Sequence, residues 1–515
     1  MKLFNKILSV LILTIITAQC AFSADVWLND LRKMFLNNSA IIYEINIRTF
    51  GANDANKNGI IDFDEGEESG NFINAIPKLK ELSQKGINTI HVMPINPTGK
   101  TKALGTAGSL YAASSYNTIN PQLVSQTSSL SAKAQALKFV EEAHNKKIRV
   151  ILDLPSCGSY DLYMQHPELF LKDKSGQAIV PADWTDVRLF NAGSETAVNS
   201  EVYNMYKEFV DLALYLGVDG IRADVPSIKP AKFWKDLIDY SRSKDPQFMW
   251  LAEASESLTG PIADGAIFTP YNKLLEAGFD GYYGSYFNIK NLKTGKELTD
   301  LVQNTNSNLN KYNESKSVIG SFTTHDEMSP IVINGPALSD MIIWLNATLP
   351  VNSYFVDGFD TGDNYIYLYG NKEAGKTYTD DDTYFVHRGK IDIFNFSRQP
   401  GGNNSELLKD FIISNNIKRQ FSKIINYGKF VPLKASANQV FAYAISYDNQ
   451  SIIVAGNLDF RQKIETTVSI PKLSEETTTI PIKIQDIPII ERGNLKISLS
   501  PGEIIVLFLS DLEVK

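Results

Sequence analysis

The chain has 515 residues, 43% hydrophobic and 21% charged, with 50 basic and 58 acidic side chains and a formal net charge of −8. This composition excludes a disordered chain, and the acidic surplus argues against a nucleic-acid partner, because phosphate recognition needs a basic face. Two cysteines and five histidines without an H-E-x-x-H pattern exclude a disulfide scaffold and leave little room for a zinc centre.

Residues 1–23 predict a secretory signal peptide. Lys2 and Lys6 supply the positive start, Ile7 to Ala18 the apolar segment and Ala21-Phe22-Ser23 the small-x-small cleavage pattern. The apolar segment is shorter than the roughly 20 residues of a spanning helix. An exported protein, periplasmic or secreted, with no membrane contact after cleavage is the expectation. Cys20 leaves with the leader, and Cys157 reads as a packed small residue.

Short β-rich runs then alternate with amphipathic stretches. The runs are 41–47, 87–93, 148–154, 220–224, 248–253, 279–283, 317–323 and 352–356. Helical patterns such as Phe72-Ile73-x-x-Ile76-x-x-Leu79-x-x-Leu82 and 202–216 lie between them. Eight strands with intervening helices predict an α/β fold, a (β/α)8 TIM barrel, with a doubly wound sheet as the rival. Periodicity alone does not decide between them. The excursion 156–200 after the third strand reads as a small inserted subdomain. Closely spaced strands over 428–515 predict a C-terminal antiparallel β-sandwich. The domain plan is a leader 1–23, a barrel with its insertion 24–427 and a sandwich 428–515.

After the first strand, residues 54–65 read D-A-N-K-N-G-I-I-D-F-D-E. Asp54, Asn56, Asn58, Asp62 and Glu65 place oxygen donors at the spacing of a twelve-residue calcium loop, and Ile60 would add its carbonyl. A bound Ca2+ here would stabilise rather than catalyse, because the loop follows strand one.

Chemistry in such a barrel sits at the C-terminal strand ends. Strand three ends at Asp153, strand four at Arg222 and Asp224 in G-I-R-A-D, strand five at Glu253 in W-L-A-E, and strand seven at His325 and Asp326 in F-T-T-H-D. Cleaving a glycosidic bond with retention needs two carboxyls about 5 Å apart, one an ionised nucleophile and one a protonated acid. Adjacent strands four and five would hold Asp224 and Glu253 so. Arg222, on the same side of its strand, would keep a carboxylate ionised, and Asp224 would push Glu253 upward. His325 and Asp326 would bind sugar hydroxyls. Tyr160, Tyr163 and Trp184 offer rings for glucose units.

These motifs resemble glycoside hydrolase family 13, the α-amylase family, across roughly residues 38 to 515. The resemblance is carried by Y-E-I-N-I-R-T-F at 43–50, H-V-M-P-I at 91–95, G-V-D-G-I-R-A-D at 217–224, L-A-E at 251–253 and T-H-D at 324–326. It implies Asp224 as nucleophile, Glu253 as acid/base and Asp326 as transition-state stabiliser, with Tyr111, Asp153, Arg222 and His325 around the bound sugar. It also implies calcium on Asp54, Asn56, Asn58, Ile60 and Asp62. One motif departs from the family: where D-x-x-x-N-H is usual, Asp153 is followed by Cys157 and Gly158. The missing histidine implies weaker or altered binding of the sugar's primary hydroxyl.

The expectation is therefore a monomeric retaining hydrolase acting on α-glucans or maltooligosaccharides. A glucanotransferase or maltosyltransferase using the same intermediate is the first alternative, and a catalytically impaired glucan-binding protein the second.

Overall fold

A computed structural model describes residues 27–53, 55, 63–103, 109–182, 184–362, 405–474, 476–484, 486, 488–491 and 493–515. The predicted leader, 1–23, lies outside them. Eight short strands form one parallel sheet: β1 (Ile41–Ile45), β2 (Thr89–Val92), β3 (Arg149–Leu154), β4 (Gly220–Ala223), β5 (Met249–Ala252), β6 (Gly281–Tyr282), β7 (Ser317–Val318) and β8 (Ser353–Val356). Their spatial order follows the chain, with β8 beside β1. A parallel bridge between Ile319 and Asn352 closes the ring, and the Gly320 amide donates to the Asn352 carbonyl at 2.7 Å. A closed ring in chain order decides for the barrel, since a doubly wound sheet reverses its order part-way. Every strand falls inside the β-rich run that predicted it.

The helices form where apolar residues recur three and four apart. Ser200–Tyr215 buries Val202, Tyr206, Phe209, Val210 and Ala213, and the Asn199 side chain accepts from the Glu201 and Val202 amides at its start. The pattern from Phe72 to Leu82 divides into helical pieces Phe72–Ala75, Ile76–Lys78 and Leu79–Gln84. Pro77 supplies no amide hydrogen there, so the middle piece tightens to a 3₁₀ turn.

The segment after β3 carries strand Cys157–Ser159, helix Tyr160–Gln165 and strand Val187–Leu189. Its sheet is completed by Ala112–Ala113 from the β2–β3 connection. The insertion is thus built on borrowed backbone.

Beyond Tyr427 the chain forms two antiparallel sheets. One contains 429–432, 440–447, 450–457, 504–509 and 479–483; the other contains 434–435, 464–469, 494–499 and 489–491. Strand alternation gives the first sheet two buried faces. Val440, Ala442 and Ala444 face the sandwich interior with Val468, Leu495 and Leu499. Phe441, Tyr443 and Ile445 join the main core with barrel-side residues such as Trp344 and Ile342. The Tyr443 hydroxyl also meets Thr348 Oγ1 at 2.7 Å. No helix among the described residues is long and apolar enough to cross a membrane.

Candidate active site

The strand ends converge on the Arg222 guanidinium, which is fully buried. Its Nη1 donates to both oxygens of Asp153 at 2.7 and 3.0 Å and to Asp224 Oδ1 at 3.2 Å. Its Nη2 stands 3.0 Å from Glu253 Oε2, a contact without hydrogen-bond alignment, and its Nε donates to the Tyr283 hydroxyl at 3.1 Å. The three carboxylates of β3, β4 and β5 are therefore gathered around one cation.

A second cation completes the network. His325 donates from Nδ1 to buried Glu44 Oε1 at 2.5 Å, and its Nε2 lies 3.0 Å from the Tyr111 hydroxyl and 3.4 Å from Asp326 Oδ2. Tyr111 in turn donates to Asp153 Oδ2 at 2.8 Å. Burial opposes a charge on His325, but Glu44 and Asp326 outweigh it and raise the imidazole to about 10. It is an imidazolium at neutral pH, with both ring nitrogens as donors. Burial likewise opposes ionisation of Asp153, yet Arg222 and His91 hold it down at about 2.

The two proposed reacting carboxyls behave differently. Burial raises Asp224 above the ordinary aspartate range against the pull of Arg222. The expectation that Arg222 would secure this ionisation needs adjustment, because its shortest bonds go to Asp153. Burial pushes Glu253 up to about 8, opposed by Arg222 and reinforced by Asp224 and Asp326. Its side chain keeps 23% exposure to the cleft. The pair titrates together, and Glu253 holds a proton at neutral pH.

The turn after Asp224 decides where that proton sits. Val225 adopts φ 31°, ψ 58°, a left-handed conformation that a β-branched residue takes only under constraint. The constraint comes from Trp234 Nε1, which donates to the Pro226 carbonyl at 2.8 Å, and the Thr269 amide, which donates to the Ser227 carbonyl at 2.7 Å. In this posture the Val225 amide donates to Glu253 Oε2 at 2.8 Å. With Oε2 accepting this bond and facing Arg222, Oε1 is the oxygen left to carry the proton.

Asp224, Glu253, Asp326, His325 and Tyr111 line one cavity of about 230 Å³ with Cys157, Trp184 and Asp186. A second cavity of about 340 Å³ shares Trp184, Val225, Glu253 and Asp326 and continues over Leu258, Ile262 and Phe287. Asp326 is the most open of the carboxylates, its side chain 41% exposed. Trp184 faces both cavities. Tyr160 and Tyr163 instead pack within the insertion, Tyr163 edge-on against Phe170 and Tyr160 beneath Arg188.

The altered strand-three motif has a steric reason. A Cβ on Gly158 would lie 2.7 Å from Phe190 and 2.8 Å from Phe170, whose stacked rings fill the position. Burial pushes the Cys157 thiol far upward, which suits packing and not nucleophilic attack. Of the residues in the predicted calcium loop, Glu65 is exposed at the end of a single turn, Phe63–Glu65. Asp54, Asn56, Asn58, Ile60 and Asp62 lie outside the described residues. Elsewhere Glu44, His91 and Asp153 bring donor atoms close together. His91 Nδ1 meets the Tyr354 hydroxyl at 2.8 Å and its Nε2 meets Asp153 Oδ2 at 3.2 Å, while His325 engages Glu44 Oε1 and Arg222 and Tyr111 engage Asp153, so the cluster reads as a hydrogen-bond network.

No family model matches the chain. In sequence it is similar to enzymes named α-1,4-glucan:maltose-1-phosphate maltosyltransferase. That of Bifidobacterium animalis subsp. lactis is 27% identical over 46% of this chain and 32% of its own length. That of Cereibacter sphaeroides is 24% identical over 77% of this chain and 57% of its own. The chain thus spans about a third to somewhat over half the length of these relatives. In fold it is similar to an α-amylase from Lactobacillus plantarum, with a TM-score of 0.68 at 18% identity over 92% of this chain and 99% of that one. A maltogenic α-amylase from Thermotoga neapolitana gives 0.67 at 20% identity over the same shares. The chain resembles the α-amylase family.

Several site residues have no role predicted from sequence, although Glu44 and His91 lie inside the motif segments 43–50 and 91–95. Glu44 and His91 are polar interruptions in the apolar runs of β1 and β2, and that interruption was the available signal. Val225 acts through the conformation of its turn, and a linear sequence carries no sign of it.

Proposed function

We propose that the protein is a retaining α-glucan hydrolase of α-amylase type. The observation that carries this reading is the placing of Asp224 and Glu253 on adjacent strands, around one guanidinium and on one cavity wall, with Glu253 held in its protonated form. Asp224 attacks the anomeric carbon while Glu253 Oε1 delivers its proton to the glycosidic oxygen, releasing the leaving sugar. Glu253, now a carboxylate, takes a proton from water, and the resulting attack on the anomeric carbon frees Asp224. Asp326, on the open side, stabilises positive charge on the flattened ring, while Tyr111, Asp153, Arg222 and His325 hold the sugar hydroxyls.

Transfer to a second sugar uses the same intermediate, and the maltosyltransferase relatives favour it as the second reading. The cavity chemistry favours a neutral glucan over a glycosyl phosphate as donor. Among the described residues lining the two cavities there is no lysine or arginine, while Asp186, Asp224, Glu253, Asp326 and Glu327 are acidic. His325 is the one cation among those described lining residues, and it is already paired with Glu44, so a departing phosphate dianion would meet more negative than positive charge there. Incubation with soluble starch, with maltooligosaccharides, and with maltose-1-phosphate plus an acceptor distinguishes the outcomes. New reducing ends, lost in Asp224→Asn, support hydrolysis. Redistributed chain lengths without new ends support transfer, and turnover of maltose-1-phosphate alone overturns the neutral-donor reading. Binding without turnover supports the impaired glucan-binding protein.

We also infer export after cleavage of 1–23, a monomeric state, and calcium on the 54–65 loop, whose all-oxygen donor set suits a hard cation. Chelation is expected to lower Tm and added Ca2+ to restore it, with Asp62→Ala insensitive to both. An unchanged melt on chelation removes the calcium site.

A further inference from the structure

Lys229 is fully buried, and none of the described ion pairs includes it. Its Nζ donates to the Ser156 carbonyl at 2.6 Å and lies 4.8 Å from the Tyr206 ring centre and 5.8 Å from those of Phe190 and Trp234. Burying a lone cation is costly even when ring faces offset part of the loss. A methionine of similar length would fill the same aromatic cage without that cost. The charge therefore needs a purpose other than packing.

The purpose lies one residue along. Ser156, itself buried, donates its amide to Asp224 Oδ2 at 3.2 Å and its hydroxyl to the Asp224 carbonyl. Thr269 Oγ1 donates to the Lys229 carbonyl at 2.7 Å, which anchors the lysine's own backbone. We propose that Lys229 is a positioning residue for the nucleophile: it clamps Ser156, and Ser156 holds the Asp224 carboxylate against the sugar. This rests on the reading of Asp224 as nucleophile. The lysine also supplies a second positive charge near enough to interact with Asp224. Asp224 is otherwise faced by Arg222 on its own strand, Asp153 from β3, Glu253 from β5, Asp326 beyond β7, and the un-ionised Tyr111, Tyr116, Cys157 and Tyr206. Burial lowers Lys229 to about 8, with Cys157 and Asp224 opposing, so most of it remains cationic at pH 7.

The test compares wild type with Lys229→Met and Lys229→Arg. The Asp224 carboxyl is followed by ¹³C NMR titration, assigned by its loss in Asp224→Asn, alongside kcat, KM and Tm. In Lys229→Met, Asp224 is expected to titrate about one pH unit higher, equivalent to about tenfold in its ionisation constant. Its kcat is expected to fall about tenfold at pH 6 with KM nearly unchanged, while Lys229→Arg keeps the titration near that of wild type. An unmoved Asp224 titration in Lys229→Met overturns the proposal, even if Tm falls. If Lys229→Met does not fold, Lys229→Gln, which stays polar but removes the charge, takes its place in the same titration; an Asp224 carboxyl that titrates higher supports the proposal and an unmoved one overturns it. A wild type inactive on every α-glucan would overturn the proposed function and leave the Asp224 titration to decide the role of Lys229.

Discussion

Glu44, His91, Asp153, Arg222 and His325 at the barrel mouth are buried as completely as Val440, Ile453 and Leu507 in the terminal sandwich. The sandwich residues gain roughly 25 cal/mol for each Å² of apolar surface removed from water. The mouth residues lose hydration and recover it by facing one another and the hydroxyls of Tyr111, Tyr283 and Tyr354 at 2.5–3.2 Å. One region is built for stability and tolerates replacement by apolar residues of similar volume. The other fixes the position of charge, and each member depends on its partners.

Four substitutions or measurements sharpen this contrast. Asp224→Asn should abolish turnover, on the order of 10⁴-fold or more, while leaving the melt close to wild type; residual activity within tenfold would mean another group attacks the sugar. Glu253→Gln should cost about 10²–10⁴-fold, because general acid assistance is lost. A substrate with a good leaving group should recover most of its first step, and absence of that recovery would argue against the acid role. Leu507→Ala tests the opposite region. It should cost about 2–5 kcal/mol of stability in a denaturant melt, with kcat per folded molecule unchanged; a matching loss of kcat would break the separation. The mildest perturbation is pH. Glu253 must be protonated to act, so activity should fall as pH rises through about 8. His325, raised to about 10, stays cationic through that range. The alkaline limb therefore belongs to the carboxyl and should vanish from the chemical step of Glu253→Gln.

Much of the fold was legible because barrel strands are continuous apolar runs separated by helical periodicity, and every run from 41 to 356 contains its strand. The terminal sheets were read less completely. Strands 429–432, 434–435, 489–491 and 494–499 carry the faintest strand signal of that region. The first three are short, and 494–499 alternates with Lys496 and Ser498, so its apolar signal is thin. The residues that emerge from β3, β4, β5 and the β7 turn could be predicted because an ionisable group ending an apolar run has few places to go. Glu44 was harder to find, as it lies inside its run and becomes meaningful only once His325 is brought 2.5 Å from it across the ring. Tyr160 and Tyr163 show the converse, since aromatic composition does not reveal which rings face solvent and which face each other.

The two rings stacked over Gly158 have a consequence for reversing the altered motif. Phe170 and Phe190 stand 4.6 Å apart at their centres, and they occupy the volume an imidazole at 158 would need. A single Gly158→His change would therefore meet a wall before it met a ligand. Installing the D-x-x-x-N-H pattern requires at least one ring to be cut back first, so the order of substitutions is set by crowding, and the glycine is held in place by its neighbours.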